Sequence, residues 1–286
     1  MKKISDNLLE PSQQQLNDLL KYYQTGRYDD AEKLSLSITQ EFPKHIFAWK
    51  VLGAVLKQTG RINESLIITQ KTVQLDPQDA KAHNNLGIIM KELGRLEEAE
   101  ASYKQAIKLK PKLAEAHSNL GFIMQEIGRL EEACSAFTQA VNLKPDFTDA
   151  YANLAFVIKN VRFTSSNIKF YPPLIYLLNN GNYIRPSDLA PSILSLLKHD
   201  PLIKDLLLEE NFATNLEEAN SIISRLDKLT LLHQIMRVCR LPDLQFEKFF
   251  QSMRSLFITN LDNFEASPKF IHFLSSLSLH CFTNEY

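Results

Sequence analysis

Two stretches of the chain are near copies of each other, and they decide its fold. Residues 80–111 read AKAHNNLGIIMKELGRLEEAEASYKQAIKLKP, and residues 114–145 read AEAHSNLGFIMQEIGRLEEACSAFTQAVNLKP. The second stretch therefore repeats the first at an interval of 34 residues. Apolar residues inside each stretch recur at helical spacing, and a Gly-Arg step divides each stretch into two helices. A period of this length predicts a solenoid of helix-turn-helix units.

Three series of residues extend the 34-residue period over residues 12–160. They are Pro43, Pro77, Pro111 and Pro145; Gly26, Gly60, Gly94 and Gly128, each followed by arginine; and Gly53, Gly87 and Gly121. We expect the last series to lie where helices A and B of one unit press together. We expect the glycines before arginine to end helix A in the left-handed conformation, and the prolines to end helix B. The pattern predicts four repeats plus one docking helix.

This arrangement resembles the tetratricopeptide repeat family, whose pattern begins W-x₂-L-G. The second unit matches that pattern with Trp49, Leu52 and Gly53, and the third with His83, Leu86 and Gly87. The resemblance is fullest in the third and fourth units, which also carry Ala99, Tyr103, Ala106, Ala133, Phe137 and Ala140. It implies an all-α scaffold whose helices A line a concave face that binds proteins or peptides.

Asparagine recurs on that face at Asn85, Asn119 and Asn153, and an apolar strip of Ile88, Phe122 and Phe156 runs beside it. In related superhelices such as that of O-GlcNAc transferase, a similar asparagine ladder holds the backbone of an extended peptide. An amide suits this role because it donates and accepts a hydrogen bond at once. Two alternatives remain open: asparagine is common at this position in the family, and the strip can instead pack between repeats or under the C-terminal half.

Two other binding chemistries are disfavoured. Chaperone-binding relatives hold a C-terminal carboxylate with a clamp that Lys50 and Asn85 match, but Ala54, Glu115 and Asn119 replace its other polar and basic residues. An acid in place of a base opposes capture of a carboxylate. His83 and His117 stand at the position of Trp49, so we interpret them as core-edge residues rather than metal ligands.

The period vanishes after Asn160. We interpret residues 161–170 as a linker and residues 171–286 as a helical domain of about six helices. One of these is predicted to start at Pro201 behind an Asp200 N-cap, and another to run from Leu216 to Leu229. The histidines of this half have no acid or cysteine at metal-binding helical spacing. Its cysteines, Cys239 and Cys281, are predicted to be core residues.

Three segments of this half resemble a region that precedes the catalytic domain of cyanobacterial-type methyltransferases that use S-adenosylmethionine. They are residues 185–190, 237–243 and 279–286. The resemblance implies an alternative function, in which the chain is the substrate-recognition front of such an enzyme and lacks its catalytic domain. A glycosyltransferase or sulfotransferase front is a weaker alternative. No catalytic or cofactor-binding residue can be transferred, because the matching positions are missing.

Composition narrows the function classes. Thirty-two basic and 33 acidic residues give a net charge of -1, without the one-sign field expected of a nucleic-acid or membrane binder. The spaced glycines form no nucleotide loop, so neither a cofactor nor an enzymatic activity is expected. Three cysteines are too few for a disulfide framework, and no apolar leader is seen, so we expect a cytoplasmic protein. The expected partner is a protein or an extended peptide; exposed solenoid ends also allow self-association.

Overall fold

A computed structural model describes residues 10–208, 216–239, 241–259 and 268–282. Every regular element in these ranges is helical, which confirms the predicted all-α class. The chain divides into two compact units, Met1–Ile123 and Met124–Tyr286, and each is described by itself. The predicted boundaries around residues 160 and 171 follow the sequence period rather than compactness, and they stay a prediction.

The first unit is built from helix pairs in which odd-numbered helices are helices A and even-numbered helices are helices B. Among the first six helices, each packs against the next along the chain, and the first helix A also contacts the second helix A. The helices are α1 (Gln13–Gln24), α2 (Tyr28–Glu41), α3 (Ile46–Gln58), α4 (Ile62–Leu75), α5 (Ala80–Glu92), α6 (Leu96–Leu109) and the start of α7 (Ala114–Glu126). These bounds confirm the helix-turn-helix repeat.

The glycines before arginine, together with Gly53 and Gly87 of the other series, have the roles that the sequence predicts. The glycines that end helix A have φ between 72° and 79°, a region that glycine enters without steric cost. Gly87 lies instead against helix B, where a Cβ at this position would stand 2.6 Å from Cε1 of Tyr103. The close packing of α5 on α6 therefore depends on a missing side chain.

The arginine after each of those helix-ending glycines pairs with an acid in the first turn of the following helix B. Arg61 contacts Glu64 at 2.6 Å and Arg95 contacts Glu98 at 2.5 Å, and both arginines are about 40% exposed. The Arg27–Asp30 and Arg129–Glu132 pairs repeat the arrangement. Solvent screens exposed pairs of this kind, so they contribute little to stability. They fix local geometry more than overall stability.

The second unit begins with the last repeat helices and continues into the helices without a period. It contains α8 (Leu130–Leu143), α9 (Thr148–Ile158), a 3₁₀ turn (Ile168–Phe170), α10 (Tyr171–Asn179), α11 (Pro186–Leu197), α12 (Leu216–Leu226), α13 (Thr230–Val238), α14 (Leu244–Thr259) and α15 (Pro268–Phe282). Helix α9 packs on α8 and also on α10 and α11. It is therefore the docking helix between the repeat pattern and the helices that follow.

The segment interpreted as a linker is packed within this unit. Val161 and Phe163 are buried, and the Phe163 backbone N–H donates to Ser195 Oγ at 2.9 Å. The Ser192 hydroxyl donates to the Ile158 carbonyl at 2.6 Å. One bond thus fastens the segment after α9 to α11, and the other fastens the end of α9 to α11.

Two predicted helices differ in the structure. The prediction of a helix that starts at Pro201 was wrong, because residues 201–208 form successive turns. Asp200 does accept the Leu202 backbone N–H at 2.8 Å, but its other oxygen accepts the Tyr171 hydroxyl, which ties the start of the segment to α10. The run expected over 216–229 breaks after Leu226, whose carbonyl accepts bonds from the Leu229 backbone and the His233 ring.

No helix in the described ranges combines the length and the apolar character needed to cross a membrane.

Candidate functional site

A groove of about 180 Å³ in the first unit is lined by residues of α1, α3, α4 and α5; we call it the helix-A groove, because most of its lining residues belong to helices A. Its residues come from the first three repeats, with α3 on one side and α5 on the other. Those used below are Tyr23, Lys50, Ala54, Lys57, Asn85 and Ile88. Ala54 lines the groove with a side chain that ends at Cβ. The groove therefore presents polar, cationic and apolar groups within one surface.

The cations of the groove are already paired. Lys50 contacts the carboxylate of Asp79, and Lys57 contacts Glu92 at 3.2 Å. Burial alone would raise the pKa of Asp79, but hydrogen bonds from the Lys50 ammonium and the Lys81 backbone N–H outweigh it and hold that pKa below its ordinary value. Lys50 is thus neutralised by a stable carboxylate. This pairing weakens the carboxylate-clamp interpretation further.

The predicted asparagines occupy different environments. Asn85 is exposed in the groove, and its side-chain amide makes no hydrogen bond to any residue that the structure describes. Asn119 is half-buried and donates from Nδ2 to Oδ1 of Asn84 at 3.0 Å, so its own oxygen remains as an acceptor. Asn153 lies half-buried on α9 in the second unit. Of the three asparagines, Asn85 is therefore best placed to bind a ligand through both the N–H donors and the oxygen acceptor of its side-chain amide.

Sequence reasoning missed Asn84, which is only 9% exposed and links α5 to α7 through Asn119. The period gives no signal for it, because the equivalent positions hold Ser118 and Ala152.

The predicted apolar strip is also divided. Ile88 is half-buried and lines the helix-A groove. Phe122 is half-buried beneath the Lys91 ammonium of α5, with 4.5 Å between Nζ and the ring centroid. This contact fits the alternative in which the strip packs between repeats. Phe156, on α9, is 57% exposed with Lys159 Nζ 4.9 Å from its ring centroid.

His83 and His117 each complete a contact inside the repeat scaffold. Nε2 of His83 lies 3.0 Å from the Pro77 carbonyl, and Nε2 of His117 lies 2.9 Å from the Pro111 carbonyl. A carbonyl only accepts, so Nε2 carries the proton in both rings. This contact accounts for both residues without a metal.

One cluster of candidate metal ligands was not foreseen. Asp227, His233 and His272 bring ligand atoms within 4.8 Å of one another. His233 Nε2 donates to the Leu226 carbonyl, and His272 Nδ1 lies 3.0 Å from Asp227. The two rings are stacked at 4.3 Å and 28°, so their in-plane lone pairs do not converge on one point. A shared ion would require one ring to turn. Asp227 and His272 are 45 positions apart in the chain, so helical spacing rules do not reveal the cluster.

The cysteines whose side chains are described are poor nucleophiles. Burial raises the pKa of the Cys134 thiol to about 12 and that of Cys239 to about 11, and both residues are buried free thiols. A neutral buried thiol is chemically inert. The core prediction is therefore confirmed for Cys239, whereas the side chain of Cys281 lies outside the described part of the chain.

Comparison with protein families assigns the repeats. Three tetratricopeptide-repeat models match residues 69–101, 89–128 and 114–147. The chain therefore contains tetratricopeptide repeats over this stretch. These matches do not extend to residues 171–286, where the methyltransferase resemblance was placed.

Solved tetratricopeptide structures are similar to this chain only in outline. A crystal structure of MamA protein is 18% identical and covers 71% of this chain and 95% of its own, with a TM-score of 0.48. YrrB, described as a tetratricopeptide protein with an unusual peptide-binding site, is 15% identical, with 67% and 87% coverage and a TM-score of 0.46. The first such domain of Spaghetti (RPAP3), bound to an HSP90 peptide, is 21% identical, with 39% and 89% coverage and a TM-score of 0.38. No curated protein matches the sequence significantly.

Proposed function

We propose that the repeats bind an extended segment of a partner protein along their helix-A face, and that the chain acts as a scaffold or adaptor. The observation that carries this proposal is the helix-A groove, in which an unpaired amide, Asn85, stands beside an apolar side chain, Ile88. An extended peptide needs both features, because its backbone must find hydrogen bonds while its side chains bury apolar area.

The contacts in this groove favour recognition of a peptide backbone over recognition of a terminal carboxylate. Asn85 can donate to a peptide carbonyl and accept from a peptide N–H. The two lysines of the groove already contact carboxylates of their own chain. Asn119, Asn153, Phe122 and Phe156 are proposed as further contacts along helices A, with Asn119 acting as an acceptor.

A binding role rather than a catalytic one is also proposed. Cys134 and Cys239 have raised pKa values, and His83 and His117 bond to backbone carbonyls. The two thiols are therefore buried and protonated, and the two imidazoles are engaged in hydrogen bonds to the backbone. The two free thiols also support the proposed cytoplasmic location, since oxidising compartments favour disulfides.

The test is selection of peptides from a random display library on the immobilised chain, followed by fluorescence anisotropy with one selected peptide. We expect the combined Asn85→Ala, Asn119→Ala and Asn153→Ala variant to bind at least about tenfold more weakly, as lost backbone hydrogen bonds would require. Asn63→Ala, at an exposed position on helix B of the second repeat, is the matched control and should bind like the parent chain. Equal affinity of the triple variant and the parent would remove the asparagines from the mechanism.

A further inference from the structure

A second concave site lies in the second unit, beside the last helix A. The cavity measures about 460 Å³ and is formed by one face of α9 and by residues 181–188, which lead into α11. We call it the α9 pocket. The lining residues that matter for binding are Ala152, Phe156, Lys159, Tyr183, Arg185 and Asp188. It is separate from the helix-A groove, whose residues all belong to the first unit.

The apolar part of this pocket is unusually open. Phe156 is 57% exposed, although its chain neighbours Ala155 and Val157 are buried. One turn before it, Ala152 is exposed and offers no side chain beyond Cβ, so the surface of α9 stays accessible. An apolar side chain of a partner can therefore lie along α9 and against the Phe156 ring.

The opposite wall of the pocket is held in place by aromatic packing. Tyr183 lies 6.1 Å from Tyr151 and 6.3 Å from Tyr176, and the last two rings stack at 4.1 Å. Tyr151 belongs to α9 and Tyr176 to α10, so the cluster joins the loop to two helices. The wall is therefore positioned before a partner arrives, which lowers the entropic cost of binding.

The charges at the rim select the partner. Lys159 and Arg185 are exposed, and within the described ranges neither forms an ion pair with an acid. Asp188 is the only acid among the lining residues. It lies in the first turn of α11, where the positive end of the helix already offsets its charge. Two cations and one anion line the pocket, so its lining carries a net positive charge. Asp149 of α9, whose charge raises the pKa of Tyr183, is near one wall but is not among the lining residues.

We propose that the α9 pocket binds an acidic peptide segment of a partner protein, with one apolar side chain against Phe156 and flanking carboxylates on Lys159 and Arg185. This inference rests on the proposed function in one respect: Phe156 belongs to the predicted recognition strip. It adds the chemistry of the partner, which the asparagine ladder alone leaves open.

The test uses three fluorescein-labelled peptides and the full chain. The first has a leucine flanked on each side by three glutamates, the second replaces the glutamates by lysine, and the third replaces the leucine by serine. We expect the first peptide to bind more tightly than the other two, and more weakly as salt is added. Lys159→Glu and Arg185→Glu should each weaken its binding by about tenfold or more, because charge reversal turns attraction into repulsion.

Asp188→Asn is the matched variant with the opposite expectation, because removal of the one acid should strengthen binding severalfold. All three substitutions are at exposed positions, and circular dichroism will show that the variants fold. The proposal is overturned if the acidic peptide binds no better than the lysine peptide, or if charge reversal leaves its affinity unchanged. Asn85 belongs to the first unit. If its substitution by alanine left the binding of selected peptides unchanged, that result would count against the helix-A groove and not against the α9 pocket.

Discussion

The indole Nε1 of Trp49 donates a hydrogen bond to the backbone carbonyl of Pro43, at 2.9 Å. Six residues separate the two positions, and the same step joins the rings of His83 and His117 to the carbonyls of Pro77 and Pro111. The large residue at the start of helix A thus secures the carbonyl of the proline that ends the preceding unit. This bond accounts for Trp49, His83 and His117 at equivalent positions, because each of them carries a ring N–H.

The contact predicts a difference between two aromatic replacements at one site. His83→Trp should retain a ring donor to the Pro77 carbonyl, whereas His83→Phe should lose it. We expect the Phe variant to be less stable than the Trp variant by about 1 kcal/mol, the typical net value of one hydrogen bond. Urea unfolding followed by circular dichroism measures this difference. Equal stability of the two variants would mean that ring size alone decides the position.

Gly87→Ala should destabilise the first unit. The new Cβ would meet the Tyr103 ring at 2.6 Å, so α5 and α6 would have to separate. Overpacking of this kind costs about 1–3 kcal/mol. Gly181→Ala is the control, because a Cβ there meets nothing within 4 Å, and its effect should stay within about 0.5 kcal/mol. Denaturant midpoints of the two variants provide the comparison, and similar midpoints would contradict the close-packing role of Gly87.

Tyr103→Phe is expected to stabilise the protein. The Tyr103 hydroxyl is buried without a hydrogen-bond partner among the described residues, and burial raises its pKa. Removal of this unsatisfied hydroxyl should raise the free energy of unfolding by about 1 kcal/mol. The next repeat already has Phe137 at this position, fully buried, so the reverse variant Phe137→Tyr should lose about 1–3 kcal/mol. Thermal unfolding of the two variants should shift in opposite directions; a loss of stability in Tyr103→Phe would refute the account.

Acid should weaken the second unit through His233. Burial and the neighbouring His272 imidazole lower the pKa of His233 below its ordinary value of 6.5. The unfolded chain therefore takes up a proton at higher pH than the folded chain does. The stabilising contribution is complete above about pH 6.5 and is lost as pH falls towards the lowered pKa, by at most about 1.4 kcal/mol per pH unit.

The check is the free energy of unfolding of His233→Gln between about pH 5 and pH 7.5, a window set by the histidine pKa. Glutamine can still donate to the Leu226 carbonyl but does not titrate, so the variant should show a shallower loss on acidification. His199→Gln, at an exposed site, should retain the parent slope. An unchanged slope in His233→Gln would place the acid sensitivity elsewhere.

The helix boundaries of the repeat region could be predicted from sequence, because each unit repeats the glycines and the proline that end its helices. Gly94 ends a helix and Gly87 admits a tyrosine ring for local steric reasons, which spacing alone reveals. The rest depends on contacts between distant segments. Asn84 bonds to Asn119 across 35 residues, and His233 stacks on His272 across 39 positions of sequence, so no local pattern marks either pair.

The turn segment 201–208 shows the other limit of sequence reasoning. Asp200 and Pro201 have the composition of a helix start, and Asp200 does accept the backbone N–H of Leu202. Its second oxygen is taken by Tyr171, 29 residues earlier. A tertiary contact thus competes with a local signal, and the chain continues in turns. Of the predicted site residues, only Asn85 and Ile88 lie together in one groove, as their positions in the repeat predict.

The arginine that follows each helix-ending glycine has a consequence for how such a chain can change length. Arg27 and Arg95 each pair with an acid three residues away, so the pair is carried within a single repeat. A duplication or deletion of 34 residues would therefore copy or remove both partners together, leaving no stranded charge at the junction. Unequal recombination between neighbouring repeats is thus electrostatically neutral at these turns. The array can be lengthened by gene duplication, or by protein engineering, in whole units.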